Sequence, residues 1–368
     1  MKQKIDKNTW PYQLRRLPWL ILIPLGLLLP RLAGNYPQAA EWYARHMYPY
    51  ISGFLETISG IFPFSLAEVA IYALIIGVLG MLLVYSLRCI LRHIPFIRLF
   101  SLIITLAITG GVLLNAMYIA WGFNYARPKL YELLNLPVQD RPVEQLQELC
   151  ETLCLEAVSL RKQVAEDDRG VYTLTQGWRE SFKEIPEAYE ALGEKIPLFS
   201  YKVRTAKSVF ASEGMSYAGI AGIYIPYTAE ANVNINQPAL LMLSSAAHES
   251  AHYLGIAKED EANFVAYLAC VESSNPEVAY SGVMMALINC GNKLRAADPE
   301  AFAAVRENYS EAMLRDILEY NAYWESHEGT VEKAVNEMND NYLKHNMQES
   351  GVKSYGLMVD LMLAWRYK

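Results

Sequence analysis

His248-Glu249-Ser250-Ala251-His252 is the segment of this chain whose residue types and spacing best fit a chemical device. Histidines four apart on a helix project from one face, about one turn apart. Two neutral imidazoles so placed can each give a nitrogen to one tetrahedral zinc ion, at the roughly 2.0 to 2.1 Å such bonds require. Glu249, between them in sequence, is free of ligand duty. It can take a proton from water that the metal has made more acidic, which is the hydrolytic half of a metallopeptidase mechanism. The chain holds only six histidines, and two of them fall in this one pattern.

A third ligand is expected a few residues on. Gly255 marks a turn, and beyond it comes the acidic run Glu259-Asp260-Glu261-Ala262-Asn263. Glu259 and Glu261 are both eligible, but residues two apart on a helix point about 200° apart, so both cannot face one metal. Glu259 is preferred because Asn263, one turn later, offers an amide oxygen that could accept the second imidazole proton of a ligating histidine. Glu261 is then expected to face solvent. The competing reading of the run is a first-turn cap on a helix dipole.

These residues need helices to position them. Apolar residues recur at three- and four-residue spacing from Pro142 through Leu160, and again over 239–254, 260–272 and 276–294, so the second half is mainly α. Cys150 and Cys154 lie within the first of these patterns and read as small core residues. The five cysteines form no C-x-x-C pair and specify no metal site. One stretch departs from the helical period. Gly219 to Tyr227 is β-branched and aromatic between glycines, with Pro226 near its end, and reads as a short edge strand. Tyr224, His327, His345 and Tyr355 are chemically able to donate to a developing oxyanion, with no spacing that selects among them.

The first half is built for a bilayer. Segments 69–87 and 99–121 lack charged side chains and are long enough to cross a hydrocarbon core. Segment 17–30 is shorter, carries Pro18, Pro24 and Pro30, lies between Arg16 and Arg31, and needs snorkelling arginines to span. Lys2, Lys4, Lys7, Arg15 and Arg16 precede it, and Arg88, Arg92 and Arg98 crowd the loop between the second and third segments. Positive residues stay on the cytoplasmic side, which makes residues 1–16 a cytoplasmic tail, 17–125 a membrane domain of three helices, and 126–368 an extracytoplasmic domain of a multi-pass cell-membrane protein. A net charge of −7 with no basic stripe in the second half leaves nucleic acid out as a partner. The expected partners are the lipid bilayer and a peptide or protein substrate.

The pattern of His248-Glu249 to His252, Gly255 and Glu259 to Phe264, with the upstream run 222–234, resembles a bacterial membrane family known as domain of unknown function 3810. The likeness extends to Trp121-Gly122-Phe123-Asn124-Tyr125 and to Gly351-Val352-Lys353-Ser354-Tyr355. That family is uncharacterised, so the resemblance implies an architecture and no substrate. The site itself is similar to that of gluzincins, zinc peptidases whose third ligand opens a Glu-x-x-x-Asp pattern. This similarity implies a zincin-like domain with Zn2+ on His248, His252 and Glu259 and with Glu249 as base. The sequence departs from that pattern at Asn263, which keeps an acceptor oxygen and loses the charge. The gap between His252 and Glu259 is short for a gluzincin. Its Gly255 turn is similar to that of metzincins, but Lys258 stands where their histidine would be. Two other readings remain open: a non-catalytic zinc-binding sensor or assembly protein, and a hydrolase of a non-peptide amide.

Overall fold

The computed structural model describes residues 9–92, 95–346 and 357–368. Some of the sequence features noted above lie outside the described residues: Lys2, Lys4 and Lys7 of the expected tail, the Gly351–Tyr355 run, and Tyr355 as a donor. The chain is mostly helical, with three helices near its start long and apolar enough to cross a membrane: Trp10–Gly34, Leu66–Arg88 and Ile97–Ala120. The first is longer than the 17–30 expected from the apolar run. Arg16, at the start of that run, lies inside the first span and donates to Thr105 Oγ1 (2.7 Å) and Ser101 Oγ (3.3 Å) of the third. A charge satisfied by hydroxyls on a neighbouring helix need not snorkel to the surface. Asn115 Nδ2 donates to the Leu22 carbonyl at 2.7 Å, and Gly26 lies against Leu114, so the first and third spans pack closely.

The second span behaves differently. Every residue from 71 to 80 is exposed around the whole circumference of the helix. Only its first turn is held, where Glu230 accepts from the Leu66 and Ala67 amides (3.0 and 2.7 Å) and Glu68 accepts from the Phe210 and Ala211 amides (2.8 and 2.7 Å). The start of the second span and the end of the third therefore lie at the same face of the remaining chain.

Among the described residues, that remaining chain is a helical body with one small sheet. Three strands, β1 (Lys207–Ser208), β2 (Gly222–Ile225) and β3 (Glu230–Val233), lie in the order β1-β3-β2. β2 pairs antiparallel with β3, Ile223 opposite Asn232, and β1 pairs parallel with β3. The expected edge strand is thus present as β2, with a free edge. The other two strands are hard to read from residue types: β1 is two residues long, and Glu-Ala-Asn-Val in β3 mixes polar and small residues although all four are buried. The motif helix Ala239–Tyr253 lies on this sheet and packs against the helices Glu259–Glu272 and Pro276–Ala297, which also pack on each other. Ala246, Ala247 and Ala251 are almost fully buried, and their small side chains let these neighbours approach. Val143–Arg161 packs on the far side of Pro276–Ala297, with Cys150 and Cys154 buried among apolar side chains as expected of core residues.

The segment before residue 126 is not confined to the spans. Helices Pro37–His46 and Tyr48–Ser59, and the turn Gly122–Ala126 with Trp121 just before it, carry Tyr43, Tyr48, Trp121 and Tyr125 into one buried aromatic cluster with Tyr224 and Ala257.

Candidate metal centre at the end of the third span

The local chain path explains how a ligand from the next helix reaches the motif helix. Gly255 has φ +79°, open to glycine at no steric cost. Its N–H donates to the His252 carbonyl (2.9 Å) and the Ile256 N–H to the Ala251 carbonyl (3.2 Å), a Schellman ending that reverses the chain within three residues. A side chain at this position would meet Asn124 and Tyr48. After the reversal, Glu259 is the first residue of its helix and turns back onto the two histidines.

His248, His252 and Glu259 offer ligand atoms that all lie within 4.8 Å of one another. Glu259 Oε2 is 3.2 Å from His248 Nε2 and its Oε1 is 3.7 Å from His252 Nε2. The other imidazole nitrogens face outward to acceptors. His248 Nδ1 donates to Asn263 Oδ1 at 2.8 Å and His252 Nδ1 to the Ile256 carbonyl at 2.7 Å. Each ring is thereby oriented with Nε2 toward the common centre, the arrangement that outer hydrogen bonds impose on metal-binding histidines. Donor types, convergence and fixed tautomers fit a divalent ion such as zinc, with three protein ligands and one position left over.

The proton affinities reflect how tightly the groups are enclosed. Burial opposes charge on His248, yet the hydrogen bond and charge of Glu259 outweigh it, and its pKa rises to about 9. His252 is lowered to about 4, chiefly by burial. Burial also pushes the Glu249 carboxyl up to about 8, with the Glu259 charge adding to it and His248 and the Tyr224 N–H pulling the other way. Glu249 leans on β2 itself, since a Cβ placed on Gly222 would lie 2.7 Å from both its Cγ and Oε1. The carboxylate that could act as base therefore sits between the histidines and the edge strand.

Glu261 is a correction. It is not solvent-facing but buried, on the other side of its helix, where it accepts from the Leu130 N–H at 2.8 Å and lies 3.5 Å from Lys258 Nζ. The angular argument separated the two acids rightly; the opposite face simply packs against another part of the chain.

Among the residues considered as oxyanion donors, Tyr224 has its hydroxyl 3.1 Å from that of Tyr48, with its ring 6.5 Å from that of His252. His327 lies away from the centre, against Tyr217 and Tyr323. His345 is exposed in the last turn of the helix Thr330–His345. Residue types and spacing did not single out Trp121, Tyr125 or Tyr342. Trp121 Nε1 donates to the His252 carbonyl at 3.0 Å, and its ring meets the imidazole edge-on. Tyr125 and Tyr342 meet edge-on, and the Glu259 charge helps to raise both phenol pKa values, after burial. The Trp121–Tyr125 run, directly after an apolar span, was the available signal for the first two.

A cavity of about 420 Å³ lies elsewhere, lined on the opposite face of the motif helix by Ser250 and Tyr253, with Arg204, Lys207 and Glu230. It contains none of the three ligand candidates.

Fold and site together define a class: a mostly helical chain with three apolar helices of membrane-spanning length and a His-His-Glu cluster at the end of one of them. The chain belongs to the family described as Protein of unknown function (DUF3810), whose profile matches residues 43–363. No curated protein and no solved structure matches it.

Proposed function

We propose that this chain is a membrane-anchored zinc metallopeptidase with a zincin-like domain, using His248, His252 and Glu259 to hold the ion and Glu249 as base. The observation that carries the reading is the convergence of both Nε2 atoms and the Glu259 carboxylate on one point while each Nδ1 is tied to an acceptor. When bound there, zinc would supply Lewis acidity toward a carbonyl and lower the pKa of water. Glu249 would take the proton of the attacking water and deliver it to the leaving amine, a role its raised proton affinity suits. β2 is an edge strand whose remaining outward backbone groups can pair with an extended peptide, its Tyr224 N–H being engaged by Glu249.

A non-catalytic zinc protein would need the three ligands and have no use for Glu249 wedged against Gly222, so this reading ranks second. A hydrolase of a non-peptide amide shares the machinery but leaves the edge strand without a role.

The positive residues at 88–98 and before residue 17 support a cytoplasmic location for those segments and an extracytoplasmic one for the metal centre. A reporter fused after Lys368 and active only in the cytoplasm would reverse this orientation.

The test of function uses the full chain in detergent or nanodiscs. About one zinc per chain is expected by elemental analysis, lost in His248→Ala and His252→Ala. Glu249→Gln should keep both metal and fold and abolish hydrolysis of a mixed peptide library read by mass spectrometry. Full zinc occupancy in either histidine variant, or full activity in Glu249→Gln, would remove the proposal.

A further inference from the structure

We infer that the substrate of this site is a peptide chain tethered in the membrane, which reaches the metal centre between the second and third spans and is cut close to the bilayer surface. This inference rests on the peptidase reading and adds to it where the substrate comes from.

Depth comes first. His252 is bonded through its carbonyl to Trp121, the residue that follows the third span, so the metal centre lies beside the end of that helix. The turn between β2 and β3 reaches further. Tyr227 donates to the Leu113 carbonyl at 3.0 Å, and Leu113 lies about two turns, roughly 10 Å, inside the third span from its end at Ala120. Directly after this turn, Glu230 at the start of β3 caps the first amides of the second span at Leu66 and Ala67. The β2–β3 turn is thus fastened to both spans and sits at the mouth between them.

Direction comes second. β2 runs from Gly222, beside Glu249, to Ile225, and its continuation touches Leu113. A peptide lying along its free edge has one end at the bilayer and the other at the base. Four strand residues at about 3.3 Å each place these ends roughly 13 Å apart. Ile223 is exposed on this strand, available to a substrate side chain.

Access comes third. The second span is exposed on every side from residue 71 to 80, including Ile71, Leu74, Ile76 and Leu79, while the other two spans pack on each other. A hydrophobic segment can therefore lie beside the second span without displacing a helix of this chain. Tyr50, Phe54 and Ile58, exposed and four residues apart on the helix Tyr48–Ser59, give the body an apolar side at the same end. Hydrolysis there consumes one water. The C–N bond breaks, a C–O bond forms at the carbonyl carbon, and the proton goes to the leaving amine.

The experiment compares three probes with the zinc-supplied full chain in liposomes. The first is a random-sequence peptide library fused directly to an apolar transmembrane segment of about 20 residues. The second carries the same library separated from that segment by a long Gly/Ser spacer, and the third is the library free in solution. The directly fused library should be cut at least tenfold faster than either other form, within about ten residues of the bilayer, and Glu249→Gln should abolish the cut. Equal cutting of the spaced or free library would overturn the inference and leave the peptidase reading intact. No cut in any probe, or hydrolysis of an amide-linked lipid in the vesicle with all peptides intact, would overturn both.

Discussion

Glu259, Glu261, Asn263 and Gly222 make separable contributions, and their variants should fail in different ways. Glu259→Ala removes a proposed ligand and should weaken zinc binding itself. Glu261→Ala should leave zinc content per folded chain unchanged but lower stability by about 1 to 3 kcal/mol, because the buried Leu130 N–H loses its acceptor. Retained zinc in the first and lost zinc in the second, in folded protein, would show the carboxylates to be exchanged. Asn263→Ala frees the His248 ring and should cost about 10- to 100-fold in zinc affinity, measured by chelator competition. Gly222→Ala places a methyl where the Glu249 side chain lies. It should lower peptide hydrolysis by at least tenfold with zinc retained, since small displacements of a reacting group can cost about 100-fold. Unchanged turnover would detach the base from the strand. Sequence alone made the convergence of His248, His252 and Glu259 and the Asn263 contact legible, because helix geometry turns spacing into direction. The burial of Glu261 was not legible, because its partner lies 131 residues away in the chain.

At the scale of elements, periodicity exposed the motif helix, the acid-bearing helix and the edge strand, each of which carries a regular pattern of apolar residues. It missed β3, whose polar Glu230 and Asn232 are buried for reasons set by distant contacts, and it shortened the first span by treating Arg16 as a boundary. The helix Thr330–His345 is held differently from the others around the site. Glu332 lies against Gly219, Tyr342 against Tyr125, and Asn346 just beyond the helix accepts from Tyr118 (3.0 Å), yet Leu343 is its one buried residue. A helix with so little buried apolar surface opens at low free-energy cost. Its amides should exchange with deuterium at least tenfold faster than those of Ala239–Tyr253, which has ten buried residues. Equal protection of the two would mean that Thr330–His345 is fixed by more than these contacts.

For the whole molecule, the boundary at residue 126 suggested by the loss of apolar runs marks where the membrane spans end, while the packing continues across it. Trp121, Tyr43 and Tyr48 close the aromatic cluster on the motif helix. Arg127 joins the two sides, donating to Glu41 Oε2 at 2.8 Å and to the Gly255 carbonyl at 2.9 Å. Glu230 and Glu68 each trade contacts between the second span and the sheet region. Removing residues 1–125 would strip the apolar cover from Tyr224 and Ala257, take the Trp121 indole N–H from the His252 carbonyl, which keeps only the Gly255 N–H, and take the Leu66 and Ala67 amides from the buried Glu230 carboxylate. Lys207 would still face Glu230 at 2.6 Å, so that loss is partial. Losing one large aromatic from a packed cluster costs about 3 to 5 kcal/mol, and four, Tyr43, Tyr48, Trp121 and Tyr125, are lost here. Against a typical total stability of about 5 to 15 kcal/mol, the fragment 126–368 should be largely unfolded or aggregated. Its circular dichroism should show no cooperative melt, and its zinc affinity should fall at least tenfold below that of the full chain in nanodiscs. A soluble fragment with a sharp transition and full zinc affinity would show that the spans only anchor the metal centre and do not help build it.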